Sequence, residues 1–171
     1  MSFSNDVKNE LSRLETNEVC CDKAELLGVL RMSGAIVIRG MNIGIHFSTE
    51  NAALARRVLQ ILKNNYQVQT EVVITRSRRL KKNNRYQVRV LPAPQVNIAM
   101  TELQLLSIES DLKNPLLTKQ CCKRAFLRGA FLGGGSISRP SSDYHLEMVT
   151  GNEDFARSII KVMHTFSMKA K

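Results

Sequence analysis

The chain has 171 residues, of which 43% are hydrophobic and 23% charged, enough apolar material for a globular core. Its net charge of +10 favours a polyanionic partner, nucleic acid first and an anionic membrane surface second. No apolar run approaches the ~18 residues that span a bilayer, and the first residues lack the charged and apolar regions of a signal peptide. We therefore expect a cytoplasmic protein with no membrane partner.

The chain opens with a short amphipathic helix, predicted from four apolar residues at helical spacing: Phe3, Val7, Leu11 and Leu14. Ser4 is its expected cap. A second helix is predicted over residues 22–33, with Gly34 at its end. Two strands follow at 35–39 and 41–48, the second with alternating apolar and polar residues.

Thr49 is expected to cap a third helix over residues 50–64. Alternating residues at 68–75 and 85–90 then predict a β-hairpin whose long tip is basic. From Lys63 to Arg89 there are eight basic residues against one acidic residue, so most of the net charge lies in this hairpin and its approach. A covering helix is predicted over residues 96–108.

The segment 24–34 occurs again, in degenerate form, 101 positions later. Eleven identical pairs share this offset without a gap, and their first members are Cys20, Cys21, Ala24, Leu26, Gly28, Gly34, Ile36, Thr49, Asn51, Ala55 and Arg56. The chain is therefore an internal duplication. We divide it into an N-terminal helix at 1–19, a first half at 20–108 and a second half at 109–171.

In the second half we predict a helix over residues 116–133, strands at 136–139 and 144–149, and a helix capped at Thr150 or Asn152. Lys171 corresponds to Thr70, so counterparts of the basic hairpin and the covering helix are missing. We expect a fragment that lacks about 40 residues of its second half. The open sheet edge left behind invites pairing with another copy of the chain.

Each repeated helix carries a stripe of small residues at i, i+4 and i+8: Ala24, Gly28, Met32, Ala125, Gly129 and Gly133. A glycine inside a helix costs about 1 kcal/mol against alanine, so its presence calls for a reason. Close approach of two backbones is the natural one, which predicts two helices packed on each other along a pseudo-twofold axis. Gly34 and Gly135 are expected to end these helices in the left-handed conformation.

The four cysteines form two adjacent pairs, with neither CxxC spacing nor histidines at finger spacing. We predict reduced thiols at the starts of two equivalent helices, with no metal and no cofactor. A zinc site and a structural disulfide are the less favoured alternatives.

The segment 24–34 and its repeat, which we call the motif, resemble the motif of the LAGLIDADG homing endonucleases. A closer resemblance is to the WhiA (DUF199) family, carried by the opening run, the adjacent cysteines and the segments 26–30, 49–51 and 124–132. It implies an α+β, duplicated LAGLIDADG homing-endonuclease-like fold: αββαββα halves around a pseudo-twofold axis, motif helices at the interface, and a truncated second half. It also implies a bacterial transcription regulator linked to sporulation, cell division and chromosome segregation. The C-terminal helix-turn-helix domain of that family does not occur in this sequence.

In the nucleases the penultimate residue of each motif is acidic, and the two carboxylates hold the metal ions. The corresponding residues here are Ser33 and Gly134. Serine is a poor magnesium ligand and glycine has no side chain, so the resemblance predicts a protein that is not an enzyme. An active endonuclease or a maturase is the minor alternative.

The favoured function is a nucleoid-associated DNA-binding scaffold, with contacts expected from Arg76, Arg78, Arg79, Lys81, Lys82, Arg85, Gln87 and Arg89. His46 and Glu147 are candidates for contacts near base edges. Two alternatives stay open: the basic tip is only a solvated loop, or the chain is an interaction domain for other transcription or cell-division proteins. The histidines His46, His145 and His164 have no spacing that indicates a catalytic triad.

Overall fold

The computed structural model describes residues 2–16, 18–76, 83–105, 114–139, 141 and 143–171. The helices of this part of the chain are α1 (Phe3–Ser12), α2 (Val19–Ser33), α3 (Ala52–Asn65), α4 (Pro94–Glu102), α5 (Gln120–Gly134) and α6 (Glu153–His164). Its strands are β1 (Gly34–Arg39), β2 (Asn42–Thr49), β3 (Thr70–Arg76), β4 (Asn84–Val90), β5 (Gly135–Ile137) and β6 (Leu146–Met148). None of these helices combines the length and apolarity needed to cross a bilayer.

Four strands form an antiparallel sheet in the order β1-β2-β4-β3, and β5 pairs with β6 in a second, two-stranded sheet. In the first half the helices and strands follow as αββαββα, from α2 to α4. The second half begins with the same succession, α5-β5-β6-α6. The α+β fold and the duplication expected from the sequence are both confirmed.

The four-stranded sheet packs one face against helices. Ile45 and Phe47 of β2 and Val88 and Val90 of β4 are buried among apolar side chains of α2, α3 and α4. Antiparallel sheets of this kind bury one face and leave the other to solvent. The α3 helix supplies its apolar stripe to this core through Leu54, Ala55, Val58, Ile61 and Leu62.

The α2 and α5 helices pack against each other at glycines, where no side chain fits. A Cβ on Gly28 would lie 2.4 Å from the carbonyl oxygen of Phe126, and one on Gly129 would lie 2.1 Å from that of Glu25. Ala24 and Ala125, one turn earlier on each helix, are fully buried. The motif helices therefore form the interface between the two halves, with backbone against backbone.

A second core lies between α2, α5 and α6. Its aromatic pair, Phe126 of α5 and Phe155 of α6, meets edge to face with ring centroids 5.9 Å apart. Leu27 of α2 and Val162 of α6 are fully buried in the same cluster. The α2 helix thus contributes one side to each core, which explains why it is apolar around most of its surface.

Two of the predicted helix caps are wrong. Ser2, not Ser4, caps α1 by accepting a hydrogen bond from the Asn5 amide at 3.2 Å. Ser4 instead lies inside the helix, where its hydroxyl donates to the Ile137 carbonyl and accepts from the Ile137 amide, docking α1 on β5. Asn51, not Thr49, caps α3 by accepting from the Leu54 amide at 3.0 Å. Of the two candidate caps for α6, Asn152 is the one observed.

The left-handed helix ends predicted at Gly34 and Gly135 are also wrong. Both residues are extended, with φ of −81° and −96°. Glycine is required there for space, because a Cβ on Gly34 would lie 2.6 Å from the Leu30 carbonyl oxygen and one on Gly135 2.3 Å from Phe131 Cδ2. Each helix therefore continues directly into a strand.

Several helices begin or end at residues other than those predicted from the sequence. The α2 helix begins at Val19, three residues earlier than expected, and α5 begins at Gln120 after a 3-10 turn, Pro115–Leu117, that Asn114 caps. The covering helix ends at Glu102, short of the predicted 108. Residues 106–108 of that prediction lie outside the described part of the chain.

Candidate nucleic-acid interface

The sheet face away from the helices carries the polar residues of β4. Along this strand Tyr86, Val88 and Val90 point toward the core, and successive side chains of a strand alternate between faces. The residues between them and before them therefore share the opposite face, and they are Arg85, Gln87 and Arg89. Because β4 lies between β2 and β3, this face is in the middle of the sheet and not at its edge.

The strand register extends this surface across three strands. Arg89 lies opposite His46 of β2 and Glu71 of β3, and Gln87 lies opposite Ser48 and Val73. Cross-strand partners project from the same face of a sheet. We call this surface the open face and define it by His46, Ser48, Glu71, Val73, Thr75, Arg85, Gln87 and Arg89.

Arg89 is held in place by its neighbours on the open face. Its Nε donates to Gln87 Oε1 at 2.5 Å, and its Nη1 lies 3.4 Å from Glu71 Oε1. The side chains of Arg89 and Glu71 are 34% and 48% exposed. An ion pair this exposed contributes less than about 1 kcal/mol, so a phosphate could replace Glu71 as the partner at little cost.

Arg76 lies apart from the other predicted contacts. It pairs with Asn84, and this row of the sheet projects from the face that carries Tyr86. A cleft there is lined by Glu50, Arg76, Asn83, Asn84 and Tyr86. The structure thus brings Arg85, Gln87 and Arg89 together but places Arg76 on the other face. The remaining predicted contacts, Arg78, Arg79, Lys81 and Lys82, lie outside the described residues.

Glu147, the other candidate for base contacts, lies on β6 in the small sheet, opposite Ser136. Its carboxylate is 3.8 Å from His145 Nε2, and both side chains are more than half exposed. His46 lies on β2 and His164 ends α6, so the three histidines belong to three separate parts of the fold.

The C-terminal ends of α2 and α5 meet at Ser33, Gly133 and Gly134. The Ser33 hydroxyl donates to the Val29 carbonyl at 3.2 Å, and a Cβ on Gly133 would lie 3.1 Å from the same hydroxyl. A Cβ on Gly134 would lie 2.6 Å from Met32 Cγ, so the space beside this glycine is already filled. Ser33 and Gly134 bring no carboxylate to this junction.

Sequence reasoning assigned no role to Glu25, a buried residue of α2. Glu25 is 1% exposed and bonds Arg57 of α3 and Arg128 of α5. Arg57 and Arg128 lie 32 and 103 positions away in the chain. No local pattern links residues so distant, and they meet because α3 and α5 both pack against α2.

The close approach of the four cysteines is the second feature that sequence reasoning did not predict. All four Sγ atoms lie within 4.8 Å of one another, and all four thiols are free. Among the described residues they are the group of three or more His, Cys, Asp or Glu side chains that could hold a metal. The signal was present in the duplication, since both pairs occupy the same place in two helices predicted to pack together.

The fold and the paired motif helices define a duplicated LAGLIDADG-like scaffold. The family model for a WhiA N-terminal LAGLIDADG-like domain matches residues 19–106, and that for a WhiA LAGLIDADG-like domain matches residues 123–171. Solved structures agree: full-length DUF199/WhiA from Thermatoga maritima superposes with a TM-score of 0.72 at 23% identity, covering 100% of this chain and 53% of that one. A separate structure of the N-terminal LAGLIDADG domain of DUF199/WhiA gives 0.73 at 25% identity, with coverage of 99% and 77%.

Curated relatives give the same result. The cell division protein WhiA of Bacillus cytotoxicus is 41% identical over 176 residues, and that of Alkaliphilus metalliredigens is 39% identical over 179. Both alignments cover 100% of this chain but only 55% and 56% of the relatives, so the chain spans about half their length. The chain belongs to the WhiA family.

Proposed function

We propose that this chain is the DNA-contacting scaffold of a bacterial transcription regulator with a role in cell division, that it associates with the nucleoid, and that it does not cleave DNA. The observation that carries the proposal is the open face, where Arg85, Gln87 and Arg89 occupy alternate positions of a central strand. The net charge of +10 supports a polyanionic partner for such a face.

The chemistry of the open face suits a duplex. Arginine presents a planar fork of donors that can bond phosphate oxygens or the O6 and N7 atoms of guanine. Glutamine can bond adenine in the same bidentate manner, and a two-stranded ribbon such as the β3–β4 hairpin fits the major groove. The hairpin also leads into the basic tip, residues 76–84, which would add phosphate contacts.

The motif ends support a scaffold that is not a nuclease. Activation of water in the LAGLIDADG enzymes depends on carboxylates that bind magnesium, a cation that prefers hard, charged oxygen ligands. Here the junction of α2 and α5 presents the Ser33 hydroxyl, already bonded to a backbone carbonyl, and a glycine. Neither residue supplies the charge that two divalent cations need.

A second function is favoured by apolar side chains on the other face of β3. Val72 and Ile74 are 41% and 60% exposed although they project from the side that packs on the core. Exposed aliphatic side chains on an edge strand are typical of a docking surface. In this case the chain would hold or position another protein domain, and DNA would be read elsewhere.

Equilibrium binding to a DNA duplex over a series of salt concentrations tests the first function. We expect a steep salt dependence, with a log–log slope near −4.5 for about five phosphate contacts. The double variant Arg85→Ala/Arg89→Ala should weaken binding and make the slope less steep by about 1.8. The matched control, Arg157→Ala/Lys161→Ala, removes the same charge from the exposed side of α6 and should keep most of the affinity.

Equal losses in the two variants would show that only net charge matters, and would remove the open face from the proposal. No binding at low salt would leave the docking function as the better account. Incubation of the same duplex with magnesium or with EDTA tests the absence of cleavage. Nicking that depends on magnesium would overturn that part of the proposal.

A further inference from the structure

The N-terminal turns of α2 and α5 bring four thiols to one point. Cys20 and Cys21 are the second and third residues of α2, and Cys121 and Cys122 hold the equivalent positions in α5. Because the two helices pack at their glycines around the pseudo-twofold axis, their first turns lie side by side. We call these four residues the cysteine cluster.

The spacing of the cysteine cluster fits a tetrahedral metal. Four thiolates around zinc, at about 2.3 Å from the metal, lie about 3.8 Å from one another. The four Sγ atoms of the chain are already all within 4.8 Å. Movements below about 1 Å, within the reach of side-chain torsions, would complete the geometry. Cys21 and Cys122 are buried and Cys121 is exposed, so one side of the cluster is open for a metal to enter.

The two helix ends favour negative charge at the cluster, whereas burial of two of its thiols opposes it. Unpaired backbone amides and the positive end of the helix dipole lie at each helix N-terminus, and here two termini converge. Burial opposes ionisation of the two inner thiols, since it raises the pKa of Cys21 to about 12 and also raises the pKa of Cys122, so a bound metal has to displace both protons. Each buried thiol lies beside a thiol of the opposite helix, because all four Sγ atoms are within 4.8 Å of one another.

A metal accounts for the cluster better than a disulfide does. A disulfide needs sulfur atoms about 2.05 Å apart in covalent contact, whereas all four thiols are free. Four thiolates converging on one point are a donor set for zinc, since soft sulfur ligands exclude magnesium and calcium. All four residues come from the first turns of two helices that pack against each other.

We propose that Cys20, Cys21, Cys121 and Cys122 bind one Zn²⁺ in a closed four-thiolate site that joins the two halves of the fold at the N-terminal ends of α2 and α5. Binding forms four Zn–S bonds, and each thiol that is protonated beforehand gives its proton to solvent. No electron is transferred. The site is structural, because no ligand position is left for water or substrate.

Metal analysis of the full chain, purified in the presence of reductant and without chelator, is the test. We expect about one zinc per chain. Cobalt added to the metal-free chain should bind with the same stoichiometry and give a thiolate-to-cobalt charge-transfer band together with the strong d–d absorption of a tetrahedral site. Removal of zinc by a chelator should lower the midpoint of thermal unfolding.

Cys121→Ser removes the exposed ligand and should lose the charge-transfer band and most of the bound zinc while keeping its helical circular dichroism. The control His145→Gln removes an exposed histidine on the small sheet and should keep both. If Cys121→Ser does not fold, the presence or absence of the thiolate-to-cobalt charge-transfer band in the unaltered chain tests the proposal. The proposal is overturned by four reactive thiols that take up neither zinc nor cobalt, by a disulfide between the helices, by iron in place of zinc, or by unchanged metal in Cys121→Ser.

Discussion

Arg57 of α3 donates two hydrogen bonds to the carboxylate of Glu25 on α2, from Nε to Oε2 at 2.5 Å and from Nη2 to Oε1 at 3.1 Å. The third nitrogen of the same guanidinium, Nη1, donates to the carbonyls of Ser12 and Leu14, at 3.2 and 2.5 Å. Glu25 also accepts from Arg128 of the second half. The buried pair of Glu25 and Arg57 thus links α2, α3, α5 and the chain at the end of α1.

Replacing Glu25 with alanine should destabilise the chain by about 3–5 kcal/mol, because two largely buried guanidinium groups lose their counter-charge. Their side chains are only 8% and 14% exposed, so water cannot replace the carboxylate. Chemical unfolding in urea measures the effect. The control Glu153→Ala removes an exposed partner of Arg157 and should cost less than about 1 kcal/mol. Similar losses for both variants would contradict a structural role for Glu25.

Gly129→Ala should be among the most destabilising single-atom additions to the chain. Its methyl group would lie 2.1 Å from the Glu25 carbonyl oxygen, part of a backbone that cannot move without separating α2 from α5. We expect a loss of about 3 kcal/mol or more, seen as a lower thermal midpoint. Gly151→Ala is the control, since a Cβ there meets nothing within 4 Å. Equal midpoints for the two variants would show that the helices are not in close contact.

The glycine stripes show how far sequence reasoning reaches. Small residues at fixed spacing in a duplicated helix predict a close helix pair, because only close approach explains glycine inside a helix. The same reasoning failed at Gly34 and Gly135, where steric crowding and left-handed backbone both select glycine, and sequence cannot separate them. The role of Glu25 was not predicted for another reason, because its partners depend on how three distant segments of the chain pack.

The duplication itself supplies a matched pair of caps, Asn51 on α3 and Asn152 on α6. Both accept a hydrogen bond from the amide three residues later, at 3.0 Å. Asn51 also donates, through Nδ2, to the side chains of Asn5 and Asn9 on α1. We expect Asn152→Ala to cost about 1 kcal/mol, and Asn51→Ala to cost more because α1 loses its attachment.

Chemical unfolding gives both values, and hydrogen exchange in α1 should become faster only in Asn51→Ala. An equal cost for both variants, with unchanged exchange in α1, would contradict this account of Asn51.

We expect the buried side chain of Tyr66 to lower the free energy of unfolding at alkaline pH. Burial raises the pKa of Tyr66, with a smaller effect from Glu102, so the folded state resists ionisation. The unfolded chain ionises near pH 10, so stability is complete below that pH and falls as pH rises above it. The hydroxyl is buried and has no hydrogen-bond partner among the described residues. Tyr66→Phe should therefore gain about 1 kcal/mol at neutral pH and lose less stability above pH 10.

Urea unfolding at pH 7 and at pH values above 10 measures this difference. Tyr144→Phe, whose parent side chain is 75% exposed, is the control and should leave the neutral-pH stability unchanged. A Tyr66→Phe variant that is less stable than the parent at every pH would show that the hydroxyl has a partner.

The basic hairpin and the cysteine cluster show two further limits of prediction from the sequence. Alternation along β4 predicted which residues share a face, and Arg85, Gln87 and Arg89 do share one. Arg76 was grouped with them by charge alone, yet strand alternation places it on the opposite face. Cysteine spacing was judged along the chain, whereas the relevant distance runs across the pseudo-twofold axis.

The central claim is that DNA lies on the open face of the four-stranded sheet. Backbone amide chemical shifts of the ¹⁵N-labelled chain, followed while a short duplex is added, test it most directly. We predict that the amides of β4 and of its neighbours on β2 and β3 shift together at low salt and return as salt is raised. Shifts confined to α6 and the small sheet, with β4 unchanged, would contradict the claim.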